Sequence, residues 1–252
     1  MEILNLFSLL ISYVSVGTSH NEDFLPTEKA LSESYTYLML TQDFPSTYCH
    51  VTQSCTEEVI QALEPNMFKI HGLWPMDDKG GPQFCDPGRP FNPKLLSSST
   101  LDQMNTWWPS YKGNNTAFWE HEWDKHGTCL LLEEKSVEQD WFFNTVLGYN
   151  RDQYNITRWI DTAMDFNGEK EFEAPVVDLR SLIKTEIGVG VNLLCAKDPN
   201  EDNKVYLDQI SICLTPDLEL MDCPPLPIGG GDIGDYECGD NEVFHLPTLK
   251  QQ

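Results

Sequence analysis

The chain has 252 residues, 40 % of them apolar, which is room for one sizeable core, and no internal repeat or linker divides it. Sixteen Lys and Arg against 40 Asp and Glu give a net charge of −24 at pH 7, which excludes the general basic surface on which most nucleic-acid-binding proteins rely.

In chain order, Ile3 to Val16 is an apolar run ending in the small residues Ser15-Val16-Gly17. It reads as a signal peptide over residues 1–17, without the basic start such leaders usually carry, and it is too short and too early to favour a membrane span. Residues 18–252 follow as a single domain. Strands are predicted at Tyr35–Thr41, Met67–Ile70, Val191–Cys195 and Val205–Leu214, the last alternating Tyr206, Ile210, Ile212 and Leu214 on one face. Helices are predicted around Thr56–Leu63, Asn92–Trp107, Phe118–His126, Ser136–Tyr149, Asn155–Met164 and Val177–Thr185. Strands separated by groups of helices point to an α+β fold, a mainly antiparallel sheet with helices packed on it and stapled by disulfides. The Pro- and Gly-rich stretch from Pro224 to Asp235 reads as an irregular loop.

The segment Trp119-Glu120-His121-Glu122-Trp123-Asp124-Lys125-His126 concentrates chemistry. On a helix turning about 100° per residue, His121, Lys125, Glu122 and His126 fall within an arc of about 140°, so all four can face one cleft. Trp119 and Trp123 would anchor the helix in the core, and Gly127 would stop it. A solvated helix with i,i+4 ion pairs explains Glu122 and Lys125 but not two of the six histidines in the chain. A zinc hydrolase is the other alternative. Its usual signature needs histidines four apart, and here they are five apart with Lys125 between them. Upstream, Met67–Ile70 runs into His71-Gly72-Leu73-Trp74-Pro75, where Gly and Pro are expected to end the strand and expose His71 and Trp74.

With no evident Ser or Cys nucleophile and no metal signature, paired histidines suggest one general base and one general acid. A lysine, a third histidine and a carboxylate could stabilise an anion gaining charge in the transition state. A phosphodiester carrying its own nucleophile fits, and RNA has one in its 2′-hydroxyl, which DNA lacks.

His71-Gly72-Leu73-Trp74-Pro75 and Trp119 through Cys129 resemble the two active-site segments of the ribonuclease T2 family, and the similarity runs from Leu38-Met39-Leu40-Thr41-Gln42-Asp43-Phe44-Pro45 to Ile210-Ser211-Ile212-Cys213-Leu214-Thr215. The resemblance implies endonucleolytic cleavage of RNA without metal or other cofactor, through a 2′,3′-cyclic phosphate to a 3′-phosphate. By position, His126 would be the general base, His71 the general acid, His121 a phosphate ligand, and Glu122 and Lys125 stabilisers of the phosphorane. Trp74 would stack a base. Gln42, Pro109, Ser110 and Phe118 occupy positions similar to substrate-contacting ones. Many members have an aspartate after the His-Gly-Leu-Trp-Pro segment that contacts the base; here Met76 stands there, followed by Asp77 and Asp78, which leaves base preference open.

Eight cysteines suit a secreted disulfide framework, with 105 connectivities open to them from sequence alone. The resemblance implies Cys49–Cys55, Cys85–Cys129, Cys195–Cys238 and Cys213–Cys223. Asn114-Asn115-Thr116 and Asn155-Ile156-Thr157 are glycosylation sequons. The expected setting is the cell exterior or a lysosomal or vacuolar lumen, the expected partner RNA rather than DNA or membrane, and the expected state a monomer. The acidic charge is reconciled with RNA either by an acidic optimum, where carboxylates are partly neutralised, which is the expectation adopted, or by binding that rests on stacking and a locally positive cleft. A secreted binding protein on a ribonuclease scaffold is a further rival function.

Overall fold

The computed structural model describes residues 35–248, apart from 64–66, 133–134, 167–169 and 227–233. The expected signal peptide and most of the Pro224–Asp235 loop lie outside the described residues. Among the described residues ten strands (β1, Tyr37–Asp43; β2, Lys69–Met76; β3, Leu131–Leu132; β4, Lys135–Ser136; β5, Phe172–Pro175; β6, Asn192–Asp198; β7, Lys204–Leu214; β8, Leu220–Met221; β9, Tyr236–Glu237; β10, Val243–Leu246) combine with seven α-helices. The helices are α1 (Pro45–Thr52), α2 (Glu57–Ala62), α3 (Ser98–Trp107), α4 (Asn115–Lys125), α5 (Gln139–Gly148), α6 (Ile156–Met164) and α7 (Val176–Ile187).

The main sheet runs β2-β1-β7-β10-β5, with β6 and β8 on the other side of β7 and β9 beyond β6. Its ladders are antiparallel except for a single parallel bridge between β10 and β7, so the expected α+β architecture is what the chain forms. On β1, alternation divides the side chains cleanly. Leu38 and Leu40 enter the main core under the helices, while Tyr37 and Met39 join Met76 and Cys213 in a smaller cluster on the opposite face.

Helix starts follow their caps. Asn114 and Asn155 cap α4 and α6 through side-chain oxygens that accept the N–H of Ala117 and Arg158. The predicted Asn92–Trp107 helix is in fact a 3-10 turn at Pro93–Leu95 followed by α3, because Ser97 accepts the N–H of Thr100 and starts a new helix. Ser136 belongs to the short β4, and α5 begins only at Gln139. The short elements α1, β5, β8, β9 and β10 carry too few periodic positions for the sequence to announce them.

All four disulfides join the expected partners. Cys85–Cys129 fastens the loop after β2 to the end of α4, and the same loop satisfies a free helix-end carbonyl, since the Phe84 N–H donates to Lys125 O at 3.0 Å. With the two cysteines 44 positions apart in the chain, chain entropy gives this link about 4 kcal/mol. A Cys85→Ala/Cys129→Ala variant should therefore unfold at lower urea, and an unchanged midpoint would show that the unfolded chain gains little freedom.

Candidate active site

The site begins with a register slip. Thr41 of β1 pairs with Gly72 but Gln42 pairs with Ile70, so His71 is the extra residue of a β-bulge. The slip changes the phase of β2: Phe68 and Ile70 point into the main core before it, and Leu73 points there after it, while Trp74 and Met76 turn to the smaller cluster. Contrary to the expectation that Gly72 and Pro75 end the strand, β2 continues to Met76. Proline is tolerated because β2 is the outermost strand among the described residues, with no neighbour there needing the missing N–H.

A bulge leaves backbone groups to be satisfied elsewhere. Here the Trp108 indole donates to His71 O at 2.7 Å, and Trp119 of α4 donates to Trp108 O at 2.7 Å. Helix α4 is thus tied through the end of α3 to the bulge. Its tryptophans anchor it as expected, with Trp119 and Trp123 both in the core. Gly127 does not act as a left-handed stop. His126 caps the helix and Gly127 opens a 3-10 turn, where a Cβ would lie 2.5 Å from the Trp123 ring. Gly72 is required for the same reason of space: a Cβ would sit 2.1 Å from Glu122 Oε2 and 2.3 Å from Trp74 Nε1.

Those two atoms are bonded, Trp74 Nε1 donating to Glu122 Oε2 at 2.8 Å. The Trp74 ring also lies 4.9 Å from the His71 ring and 5.3 Å from that of His126, and His121 and His126 meet edge to face at 6.5 Å. The five residues His71, His121, Glu122, Lys125 and His126 therefore form one cluster around Trp74, graded from exposed His121 to fully buried Glu122. Burial pushes the Glu122 carboxyl up to about 7, against the lowering pull of His71, the Trp74 hydrogen bond and Lys125. It pushes His126 down to about 2, helped by the positive charges of Lys125, His121 and His71. His126 is thus a neutral imidazole across the ordinary pH range, with Nδ1 shut from solvent and making no hydrogen bond.

Beside His71 opens a cleft lined by Asp43, Tyr48, His71, Ser110, Tyr111, Lys112, Phe118, Asp208 and Gln209. A second bulge shapes it. Leu194 of β6 pairs with Gln209 and Cys195 with Leu207, which leaves Asp208 as the extra residue on β7. This bulge also corrects the single face predicted for β7. Leu207, Ile210, Ile212 and Leu214 enter the main core, whereas Tyr206 turns away onto the His50 and His245 rings.

Of the expected substrate contacts, Ser110 and Phe118 line this cleft, and Phe118 packs against His71 at 5.7 Å. Pro109 precedes Ser110 without lining the cleft, and Gln42 is not brought there at all. It is buried on the helix side of β1, with its amide donating to Tyr154 O at 2.9 Å. Its neighbour Asp43 faces the cleft instead. Met76 is buried in the smaller cluster, and Asp77 spends a carboxylate oxygen on the N–H groups of Lys79 and Gly81 in the turn beyond it. Sequence reasoning missed Asp43, Tyr48, Tyr111, Lys112, Asp208 and Gln209. Alternation along β1 was the available signal for Asp43, since Met39, Thr41 and Asp43 share the face opposite Leu38, Leu40 and Gln42.

For the zinc alternative, His121 and His126 would need a third converging ligand. Among the described residues the group with metal-ligand spacing is His50, Asp198 and Glu201, on α1 and the β6–β7 turn, and it contains neither cleft histidine.

Comparison with known proteins agrees with this fold. The model of the ribonuclease T2 family matches residues 35–223. Ribonuclease DdI of Dictyostelium discoideum is 29 % identical over 225 residues, spanning 88 % of this chain and 93 % of that protein. Extracellular ribonuclease LE of Solanum lycopersicum is 30 % identical over 210 residues, 81 % and 86 % of the two chains. The crystal structure of human RNase T2 superposes with a TM-score of 0.66 at 26 % identity, covering 84 % of this chain and 99 % of that one.

The buried Glu122 ties stability to pH. Below about pH 4.5 its carboxyl is protonated both folded and unfolded; between 4.5 and about 7 only the folded form holds the proton; above 7 a charge is buried. The wild type therefore loses up to roughly 3 kcal/mol from this residue as pH rises through that window. Glu122→Gln, which can still accept from Trp74, is expected to melt higher than wild type at pH 8 and about equally at pH 4. Equal melting at both would mean that the carboxylate is solvated.

Proposed function

This chain belongs to the ribonuclease T2 family and is an endoribonuclease, and from that premise we propose that it cleaves single-stranded RNA by metal-free transphosphorylation divided between His126 and His71. The observation that carries the reading is the contrast between the two rings: His126 is buried, neutral and among cations, whereas His71 sits against the Asp43 carboxylate, 3.0 Å away. A neutral imidazole can accept a proton and one partnered with a carboxylate can hold one, so environment supports the assignment of roles.

In the first step His126 takes the 2′-hydroxyl proton as the 2′-oxygen attacks phosphorus. The bond from phosphorus to the 5′-oxygen breaks, and His71 gives that oxygen its proton. The products are a 2′,3′-cyclic phosphate and a free 5′-hydroxyl. Water then opens the ring to a 3′-phosphate with the two histidines exchanging roles. His121 and Lys125 would hold the phosphate. Glu122, protonated below about pH 7, would donate a hydrogen bond to the phosphorane from Oε1 while Trp74 holds Oε2. Trp74 would offer its remaining ring surface to a base, and Ser110 and Phe118 would contact the base of the leaving nucleoside; Pro109 and Gln42 have weaker support.

Every group of this machinery comes from one chain, which supports a monomer. Four disulfides support an oxidising compartment, outside the cell or in a lysosomal or vacuolar lumen, reached with a leader over residues 1–17. No helix among the described residues is long and apolar enough to cross a membrane.

Two measurements test the reading. Cleavage of a short mixed-sequence RNA at pH 5 in excess EDTA, with product ends identified by mass, should give cyclic phosphates. His71→Ala and His126→Ala should each lose ~10²- to 10⁴-fold in rate; wild-type activity that needs added metal would overturn the mechanism. The rate should also stay high from pH 4 to 6 and fall above 7 as Glu122 ionises, titrating as a coupled cluster. A flat profile from pH 4 to 8 would remove Glu122 from the reaction.

A further inference from the structure

Asp43 closes β1 next to both bulges, pairing with Lys69 on one side and Gln209 on the other. It is 6 % exposed, and its two oxygens lie 3.1 Å and 3.0 Å from His71 Nδ1. The bulge makes this contact, because the extra residue in β2 brings the His71 ring to the face that Asp43 occupies. A buried carboxylate needs a compensating charge or donor, and a general acid needs its ring held in one orientation and one tautomer.

We propose that Asp43 is the positioning residue of the general acid. It accepts the Nδ1 proton of His71, so that Nε2 is the nitrogen that delivers a proton to the departing 5′-oxygen. This rests on the reading of His71 as the acid. In the cleavage step the electron pair of the breaking bond from phosphorus to oxygen goes to the 5′-oxygen, the Nε2 proton follows it, and His71 ends neutral with Nδ1–H still on Asp43. Asp43 touches no reacting atom and exchanges no proton with the substrate. The closing carbonyl bond from Trp108 to His71 O fixes the backbone of the same residue, so ring and main chain are held from opposite ends.

The test compares two substrates that differ only in their need for an acid. A dinucleoside monophosphate expels an alkoxide and requires a proton; a nucleoside 3′-(4-nitrophenyl phosphate) expels a stable phenolate and does not. Asp43→Asn should lower kcat on the dinucleoside about 10- to 100-fold with KM little changed, and cost less than about 3-fold on the aryl ester. Asp43→Glu should restore part of the loss. His71→Ala is the benchmark and should show the same discrimination on a larger scale. Equal losses of Asp43→Asn on both substrates, or no loss on either, would overturn the positioning role while leaving His71 as the acid. A His71→Ala variant that fails to discriminate would overturn the acid assignment, and the inference with it. Wild-type protein with ¹⁵N-labelled histidine supplies a readout free of any folding defect: when the His71 ring is neutral, it should carry its proton on Nδ1. An Nε2–H tautomer would refute the proposal.

Discussion

One extra residue in an outer strand organises the catalytic half of this molecule. The bulge at His71 shifts β2 by half a period, and without that shift Ile70 and Leu73 could not both reach the core. The carbonyl it leaves unpaired is claimed by Trp108, and through Trp108 the helix bearing Glu122, Lys125 and His126 is set at its distance from the sheet. The glycine that follows lets Trp74 and Glu122 approach each other where a side chain would separate them. Sheet, helix and loop are therefore adjusted to one irregularity, and the irregularity points its side chain into the cleft.

The second organising factor is how water is kept from part of the cluster. Glu122 and His126 are both buried, and burial favours the uncharged form of each. At mildly acidic pH Glu122 and His126 therefore both carry little charge, beside the ammonium of Lys125. Neutral Glu122 and His126 remove one source of charge from the inner site of a chain whose net charge is −24.

The helix bearing His121, Glu122, Lys125 and His126 was legible in the sequence because its information is local: residue types at helical spacing and two tryptophans on one side. The long strands β1, β6 and β7 were legible for the same reason. The bulges were not, because each is defined only against a partner strand far away in the chain, and they account for the misplaced face of Tyr206 and for the strand that continues through Gly72 and Pro75. The choice of Gln42 over Asp43 shows how much one residue matters. Adjacent strand positions face opposite layers, so Gln42 serves Tyr154 in the interior while Asp43 meets His71. Helix starts were misjudged where a second cap interrupted an apolar pattern, as Ser97 does before α3.

The capping asparagines carry a consequence for anyone testing whether the two sequons of this chain carry sugars. Both sequon asparagines hold helix starts through Oδ1, so replacing Asn114 to abolish a carbohydrate would also fray the first turn of the catalytic helix, and a loss of activity would be blamed on the missing glycan. Thr116 is exposed, and changing it to alanine erases the same sequon while leaving the cap intact. At Asn155 no such clean edit exists, because Thr157 is buried and its hydroxyl accepts the Phe68 N–H just before the bulged strand. There the signal read by the glycosylation machinery and the bond read by the fold are the same atoms.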